Sequence, residues 1–117
     1  MPNVKLAEQW RAQEQRSAAR KAIRLAAEIV LPNGETLMGQ TADISHAGIG
    51  FFSPVPTEVG GDCTLIVRIS ACGVAADLKL VGRVCYCTKQ EEGCYRVGMQ
   101  FIRMDEQTAA ILGSALR

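Results

Sequence analysis

The sequence is poor in the residues that metal sites use most. Its 117 residues include a single histidine, His46, and five cysteines without a Cys-x-x-Cys pair. Structural zinc sites need four well-spaced thiolate or imidazole ligands, which this spacing does not offer. We therefore expect no metal or other cofactor, and free, mostly buried thiols. A cross-strand disulfide between Cys87 and Cys94 is the alternative that the spacing leaves open.

Enzyme motifs are missing as well. The sequence contains neither Gly-x-Ser-x-Gly nor a phosphate-loop pattern, and Gly48-Ile49-Gly50 is only a Gly-x-Gly that runs into two phenylalanines. The carboxylate pairs stand in turns or at a helix start, where solvated or capping groups are the simpler interpretation. The chain by itself is therefore expected not to be an enzyme.

Long apolar runs and a strong net charge are absent too. No run approaches the roughly 18 residues that span a bilayer, and the first residues lack the pattern of a signal peptide. The net charge of +1 does not favour long nucleic acids. These features predict a chain that lies in the cytoplasm and does not insert into a membrane.

What the chain does have is enough apolar material for one packed domain, since 48% of its residues are hydrophobic. Its positive charge is concentrated near the N-terminus, where Glu14 is the one acid among five basic residues. These basic residues are Arg11, Arg16, Arg20, Lys21 and Arg24. A small anion would find a strongly positive segment here.

The hydrophobic pattern divides the chain into an arm, a series of strands and a final helix. Residues 4–22 are rich in good helix formers but poor in apolar residues, which predicts a partly helical, mobile arm. Six strands joined as antiparallel hairpins follow, and such small β domains tend to close as barrels. The predicted strands are 25–31, 36–42, 49–52, 62–70, 74–87 (with a bend at Gly82) and 94–102. A helix is expected from Asp105 onward.

Two segments carry candidate binding chemistry. Arg16 and Arg20 are four residues apart and can converge on one ligand, and arginine forks pair with phosphate or with the O6/N7 edge of guanine. The second segment, Asp43-Ile44-Ser45-His46-Ala47-Gly48, lies between two predicted strands. Its carboxylate and hydroxyl either bond the local backbone, with Gly48 at positive φ, or contact a ligand that approaches the glycine closely.

In this order and spacing, the two segments resemble the PilZ domain family, whose pattern is Arg-x-x-x-Arg followed by [Asp/Asn]-x-Ser-x-x-Gly. The stretches Gly48-Ile49-Gly50-Phe51 and Tyr95-Arg96-Val97-Gly98-Met99-Gln100-Phe101 are also similar to strands of that family. The resemblance implies a six-stranded antiparallel β-barrel with a C-terminal α-helix and a flexible N-terminal arm. It covers residues 14–117 and leaves residues 1–13 as an arm or linker.

The resemblance also implies a ligand, the second messenger cyclic di-GMP. Arg16 and Arg20 would contact guanine edges and phosphates, Asp43 and Ser45 would contact guanine and phosphate from the turn, and Gly48 would allow close approach. In this family the residue at the position of Gln15 influences whether one ligand or a stacked pair of ligands binds. Glutamine is not a blocking apolar residue, so a stacked pair is slightly favoured. Arg24 is expected to be a surface residue with a minor electrostatic part.

The regulated process stays open at this stage. The ligand is expected to order the N-terminal arginine arm, and such domains pass the signal to a partner or fused domain in cellulose or other exopolysaccharide synthesis or in motility. The chain is a whole small protein or a fragment, for example the cytoplasmic domain of a cellulose-synthase-like inner-membrane enzyme. The alternatives are a non-binding PilZ-type adaptor and a small barrel for single-stranded nucleic acid. The nucleic-acid alternative has little support, because such barrels stack bases on exposed aromatic side chains and the chain has only one Trp, two Tyr and three Phe.

Overall fold

The computed structural model describes residues 20–71 and 73–116 of the chain. Within these residues the chain forms seven strands followed by one helix. In chain order they are β1 (Lys21–Ala22), β2 (Ala26–Val30), β3 (Thr36–Ile44), β4 (Gly48–Ser53), β5 (Asp62–Ala71), β6 (Val74–Glu91), β7 (Cys94–Arg103) and α1 (Glu106–Ala115). Gln15, Arg16 and the greater part of the predicted arm lie outside the described residues.

The sheet closes on itself as a six-stranded antiparallel barrel, as expected. The strands are paired in the order β1-β3-β2-β5-β6-β7-β4, and an additional pairing of β3 with β4 closes the ring formed by β2 to β7. Strand β1 is a short addition outside this ring, paired with the end of β3 through Lys21 opposite Ile44 and Ala22 opposite Asp43. Closure satisfies the backbone groups that an open sheet would leave at its edges.

Alternating apolar residues fill the barrel, as the period of two predicts for strands with one buried face. Strand β5 contributes Cys63, Leu65, Val67 and Ile69, each at most 6% exposed. Helix α1 adds Leu112 to the same cluster. Its first turn is capped by Asp105, whose carboxylate accepts a hydrogen bond of 2.7 Å from the Thr108 amide.

Three sequence-based boundaries need correction. Lys21 and Ala22 belong to a strand and not to a partly helical arm, because they pair with the free side of β3. The connection between the predicted strands 74–87 and 94–102 shrinks to Glu92 and Gly93, since β6 continues to Glu91 and pairs there with Cys94. The β3 strand reaches Ile44, so it includes the first two residues of the Asp43 segment.

Three other features of the described residues bear on the sequence-based expectations. The ladder between β6 and β7 shifts register at Gly82, where a bend was predicted. Cys63, Cys85, Cys87 and Cys94 are free thiols, of which Cys63 and Cys85 are buried and Cys87 and Cys94 are half-buried. Among helices formed by the described residues, none has the length and apolar character to cross a membrane.

Candidate functional site

A β-bulge in β3 turns Asp43 to the outside of the barrel. Thr41 lies opposite Phe51 and Asp43 lies opposite Gly50, so Ala42 is the extra residue on β3. Without the bulge, Asp43 would face inward like Thr41, two positions earlier. The bulge therefore lets one strand bury Thr41 and Ala42 and still present the Asp43 carboxylate on the outer surface, 21% exposed.

The Asp43 carboxylate is shared by two guanidinium groups. Nη2 of Arg20 pairs with Oδ1, and Nη2 of Arg96 donates to Oδ2 at 2.7 Å. All three side chains are partly exposed, between 21% and 26%. Gly50 makes this arrangement sterically accessible, because a Cβ on it would lie 2.8 Å from Asp43 Oδ1 and 2.9 Å from Arg96 Nη2.

Sequence reasoning missed Arg96 as a site residue. It is 53 positions from Asp43 in the chain, and only the register of β4 against β7, which sets Phe52 opposite Arg96, brings it to this surface. An available signal was its place between Tyr95 and Val97, where alternation directs it outward. Its Nε atom is buried and has no hydrogen-bond partner among the described residues.

Phe52 supports two of the cations. The guanidinium carbons of Arg24 and Arg96 each lie 5.3 Å from the centroid of its ring, within the range of cation–π contacts. Arg24 is exposed, as expected, and it also has this defined packing partner. Phe51, by contrast, is fully buried and faces the core.

The Ser45 segment forms a tight connection between β3 and β4. Ser45 is fully buried, and its Oγ accepts hydrogen bonds from the amides of Ala47 and Gly48 at 3.1 and 3.2 Å. Its own amide donates to the Gly48 carbonyl. The interpretation in which the Ser45 hydroxyl bonds the local backbone is therefore correct. Gly48 is buried in β4 and is not among the glycines at positive φ, so the positive φ considered for it is wrong.

A buried hydroxyl anchors the chain that leads to Arg20. Thr41, 1% exposed, donates from Oγ1 to the Ile23 carbonyl at 2.6 Å and accepts from the Leu25 amide at 2.9 Å. The Ile23 amide in turn donates to the Ala42 carbonyl. From Arg20 onward, the arm is therefore fixed against the barrel.

The resulting surface favours a small anion with planar hydrogen-bonding edges. Arg20 and Arg96 pair with the Asp43 carboxylate, and Arg24 lies with Arg96 over Phe52, so three guanidinium groups share this surface. Guanidinium forks suit phosphate oxygens and purine edges, and a carboxylate accepts from ring N–H groups. Within residues 20–71 and 73–116, no cluster of His, Cys, Asp and Glu could hold a metal ion.

The predicted site residues thus fall into three groups. Arg20 and Asp43 are brought together in an ion pair. Ser45 and Gly48 lie in the adjoining turn, where their polar groups bond one another, so a phosphate contact from the Ser45 hydroxyl stays a prediction. Gln15 and Arg16 lie outside the described residues.

Comparisons with known proteins identify the family of the chain and the proteins that share its fold. A family model described as "PilZ domain" matches residues 14–117. A search of curated proteins finds no match.

Three solved structures share the fold. The Bacillus subtilis inhibitor of motility MotI/DgrA has a TM-score of 0.70 at 15% identity over 83% of this chain. The PilZ domain with c-di-GMP of YcgR from Escherichia coli has a TM-score of 0.65 at 14% identity over 87%. The PilZ domain of CeSA from a cellulose-synthesizing bacterium has a TM-score of 0.57 at 18% identity over 84% of this chain. The chain covers 47% of the MotI/DgrA chain, 88% of the YcgR domain and 94% of the CeSA domain.

Proposed function

The chain belongs to the PilZ domain family, and on that premise we propose that it is a regulatory module that binds cyclic di-GMP on the outer surface around Asp43. The observation that carries the proposal is the Asp43 carboxylate held between Arg20 and Arg96 beside the turn that follows β3. This cluster is positively charged overall, although the whole chain has a net charge of only +1. The structure of the related YcgR domain contains the same dinucleotide.

Each part of the ligand has a matching group. The two phosphate charges of the dinucleotide are met by Arg20, with Arg16 from the arm as a further phosphate or guanine contact. The Asp43 carboxylate is the acceptor for guanine N1–H and N2–H, which a site for phosphate alone would not need. Arg96 joins the predicted residues as a third arginine, because its guanidinium lies beside the Asp43 carboxylate and its side chain is 26% exposed. Ser45 and Gly48 hold the turn beside it.

Binding becomes a signal through the arm. Arg20 is already fixed to the barrel by β1 and Thr41, so the ligand acts on the chain that precedes it by engaging Arg16 and Gln15. A change of this kind alters the surface where arm and barrel meet, and a protein partner or a fused domain reads it. Cellulose or other exopolysaccharide synthesis and motility are the processes that we propose for such an output.

Titration calorimetry with cyclic di-GMP and with a short single-stranded oligonucleotide tests the proposal. We expect wild type to bind only the dinucleotide, and Arg20→Ala and Arg96→Ala to weaken binding roughly 10- to 100-fold, because each removes a charge-assisted hydrogen bond. Arg68→Ala is the matched control, since Arg68 also pairs with one aspartate, Asp77 at 3.0 Å, on the β5–β6 hairpin.

The other results of this experiment have distinct meanings. Wild type that takes up neither ligand would contradict the proposal and favour a non-binding adaptor. Preference for the oligonucleotide would instead favour a nucleic-acid-binding barrel. Loss of binding in the Arg68→Ala control as well would show that the effect comes from general charge and not from the Asp43 cluster.

A further inference from the structure

Tyr86 lies directly on the backbone of the neighbouring strand. A Cβ added to Gly98 would lie 2.0 Å from Cε2 and 2.4 Å from Cζ of the Tyr86 ring, so only glycine leaves space for the ring there. The ring packs down onto β7 where a side chain would normally project. Tyr86 is of intermediate exposure, so its ring forms part of the outer barrel surface.

This ring stands in one row with the Asp43 cluster. Asp43 pairs with Gly50, Gly50 with Gly98, and Gly98 with Tyr86, across four adjacent strands. Neighbouring strands are about 4.8 Å apart. The Asp43–Arg96 pair lies over Gly50 and the Tyr86 ring over Gly98, so ring and ion pair are side by side, about one strand spacing apart.

Two glycines in register give this surface its shape. Gly50 and Gly98 have no side chain that would hold other groups away from the sheet. The Asp43–Arg96 pair and the Tyr86 ring therefore lie close to the backbone of the barrel. A flat π-face next to a carboxylate and a guanidinium matches a purine base, whose ring stacks while its edge forms hydrogen bonds.

We propose that Tyr86 is the stacking platform for one guanine base of the bound dinucleotide, with the Asp43–Arg96 pair at the edge of that base. This inference rests on the proposed function and adds a specificity-determining residue to it. It also gives Gly98 a role, because a larger residue at this position would push the ring away from the sheet.

Calorimetry on Tyr86 variants tests the platform. Tyr86→Leu keeps an apolar side chain over Gly98 but removes the π-face, and it should weaken cyclic di-GMP binding roughly 5- to 100-fold. Tyr86→Phe keeps the face and should bind within about twofold of wild type, since the phenol hydroxyl is not needed for stacking. Equal thermal midpoints for the two variants would show that the difference in binding does not come from the fold.

A second measurement covers the case in which Tyr86→Leu does not fold. In the NMR spectrum of wild type with cyclic di-GMP, the H8 proton of the stacked guanine should shift upfield because of the Tyr86 ring current. A folded Tyr86→Leu that binds as tightly as wild type would overturn the platform, and so would an unshifted H8 proton. Wild type that does not bind the dinucleotide at all would overturn the proposed function itself.

Discussion

Replacing Thr41 by valine tests whether one buried hydroxyl fixes the arm to the barrel. The Thr41 hydroxyl donates to the Ile23 carbonyl and accepts from the Leu25 amide, at 2.6 and 2.9 Å. Valine has nearly the same shape, so packing in this 1% exposed position is preserved while both hydrogen bonds are lost. The variant therefore separates hydrogen bonding from packing.

The expected loss follows from these two bonds. A net contribution of about 1 kcal/mol for each hydrogen bond gives a decrease of about 2 kcal/mol in the free energy of unfolding. For a domain of 117 residues, about 1 kcal/mol corresponds to roughly 3–6 °C in the thermal midpoint. Thr41→Val should therefore unfold roughly 6–12 °C below wild type.

Thermal unfolding followed by circular dichroism gives the midpoint temperature. Hydrogen exchange of the Leu25 amide shows whether its hydrogen bond to Thr41 is lost. Thr41→Ser is the control, since it keeps the hydroxyl but loses a buried methyl group, which is worth about 1 kcal/mol. Serine should preserve the protection of the Leu25 amide, whereas valine should abolish it. A Thr41→Val protein that melts with wild type and keeps this amide protected would refute the anchoring role.

Three further predictions concern other parts of the molecule. Gly50→Ala should fold but bind cyclic di-GMP at least roughly tenfold more weakly in calorimetry, because its Cβ would separate Asp43 from Arg96; unchanged binding would contradict this. A hydrogen bond from the Thr108 backbone lowers the pKa of Asp105 from its ordinary value of 3.8. The ionised carboxylate therefore stabilises α1 fully above about pH 3.8, and this stabilisation is lost as the pH falls through the lowered pKa. In wild type the far-UV helix signal should decrease over this pH range, and in Asp105→Asn it should not. Burial raises the pKa of the Cys63 thiol to about 11, so native protein at about pH 8 should resist iodoacetamide at Cys63, as peptide mapping would show, and rapid labelling would count against it.

The sequence predicts the barrel well because most strands alternate cleanly. A local signal also accounts for the turn between β2 and β3, since Gly34 follows Pro32 and Asn33 and takes a φ of +88°, which glycine adopts readily. The strand at Lys21 could not be seen in this way, because two exposed residues have no periodicity and depend on the free side of β3.

The candidate site was predicted only in part, because some of its residues belong to local motifs and others are brought together by strand pairing. Arg20 and Asp43 belong to motifs that are local in the chain, so their spacing was informative. The roles of Arg96 and Tyr86 depend on the register between β4, β6 and β7, including a shift between Val84 and Tyr86. Pairing between distant strands is set by the tertiary structure, and no short sequence pattern encodes it.

The two-residue turn at Glu92 and Gly93 offers a place to build a reporter into this domain. Both residues are exposed, and Gly93 has a φ of +74°. The turn lies where β7 begins, opposite the end of β4, whereas the Ser45 turn lies near Gln100 at the other end of the same strands. A fluorescent domain inserted between Glu92 and Gly93 would therefore lengthen an exposed loop tip at the end of β7 that lies away from the Ser45 turn.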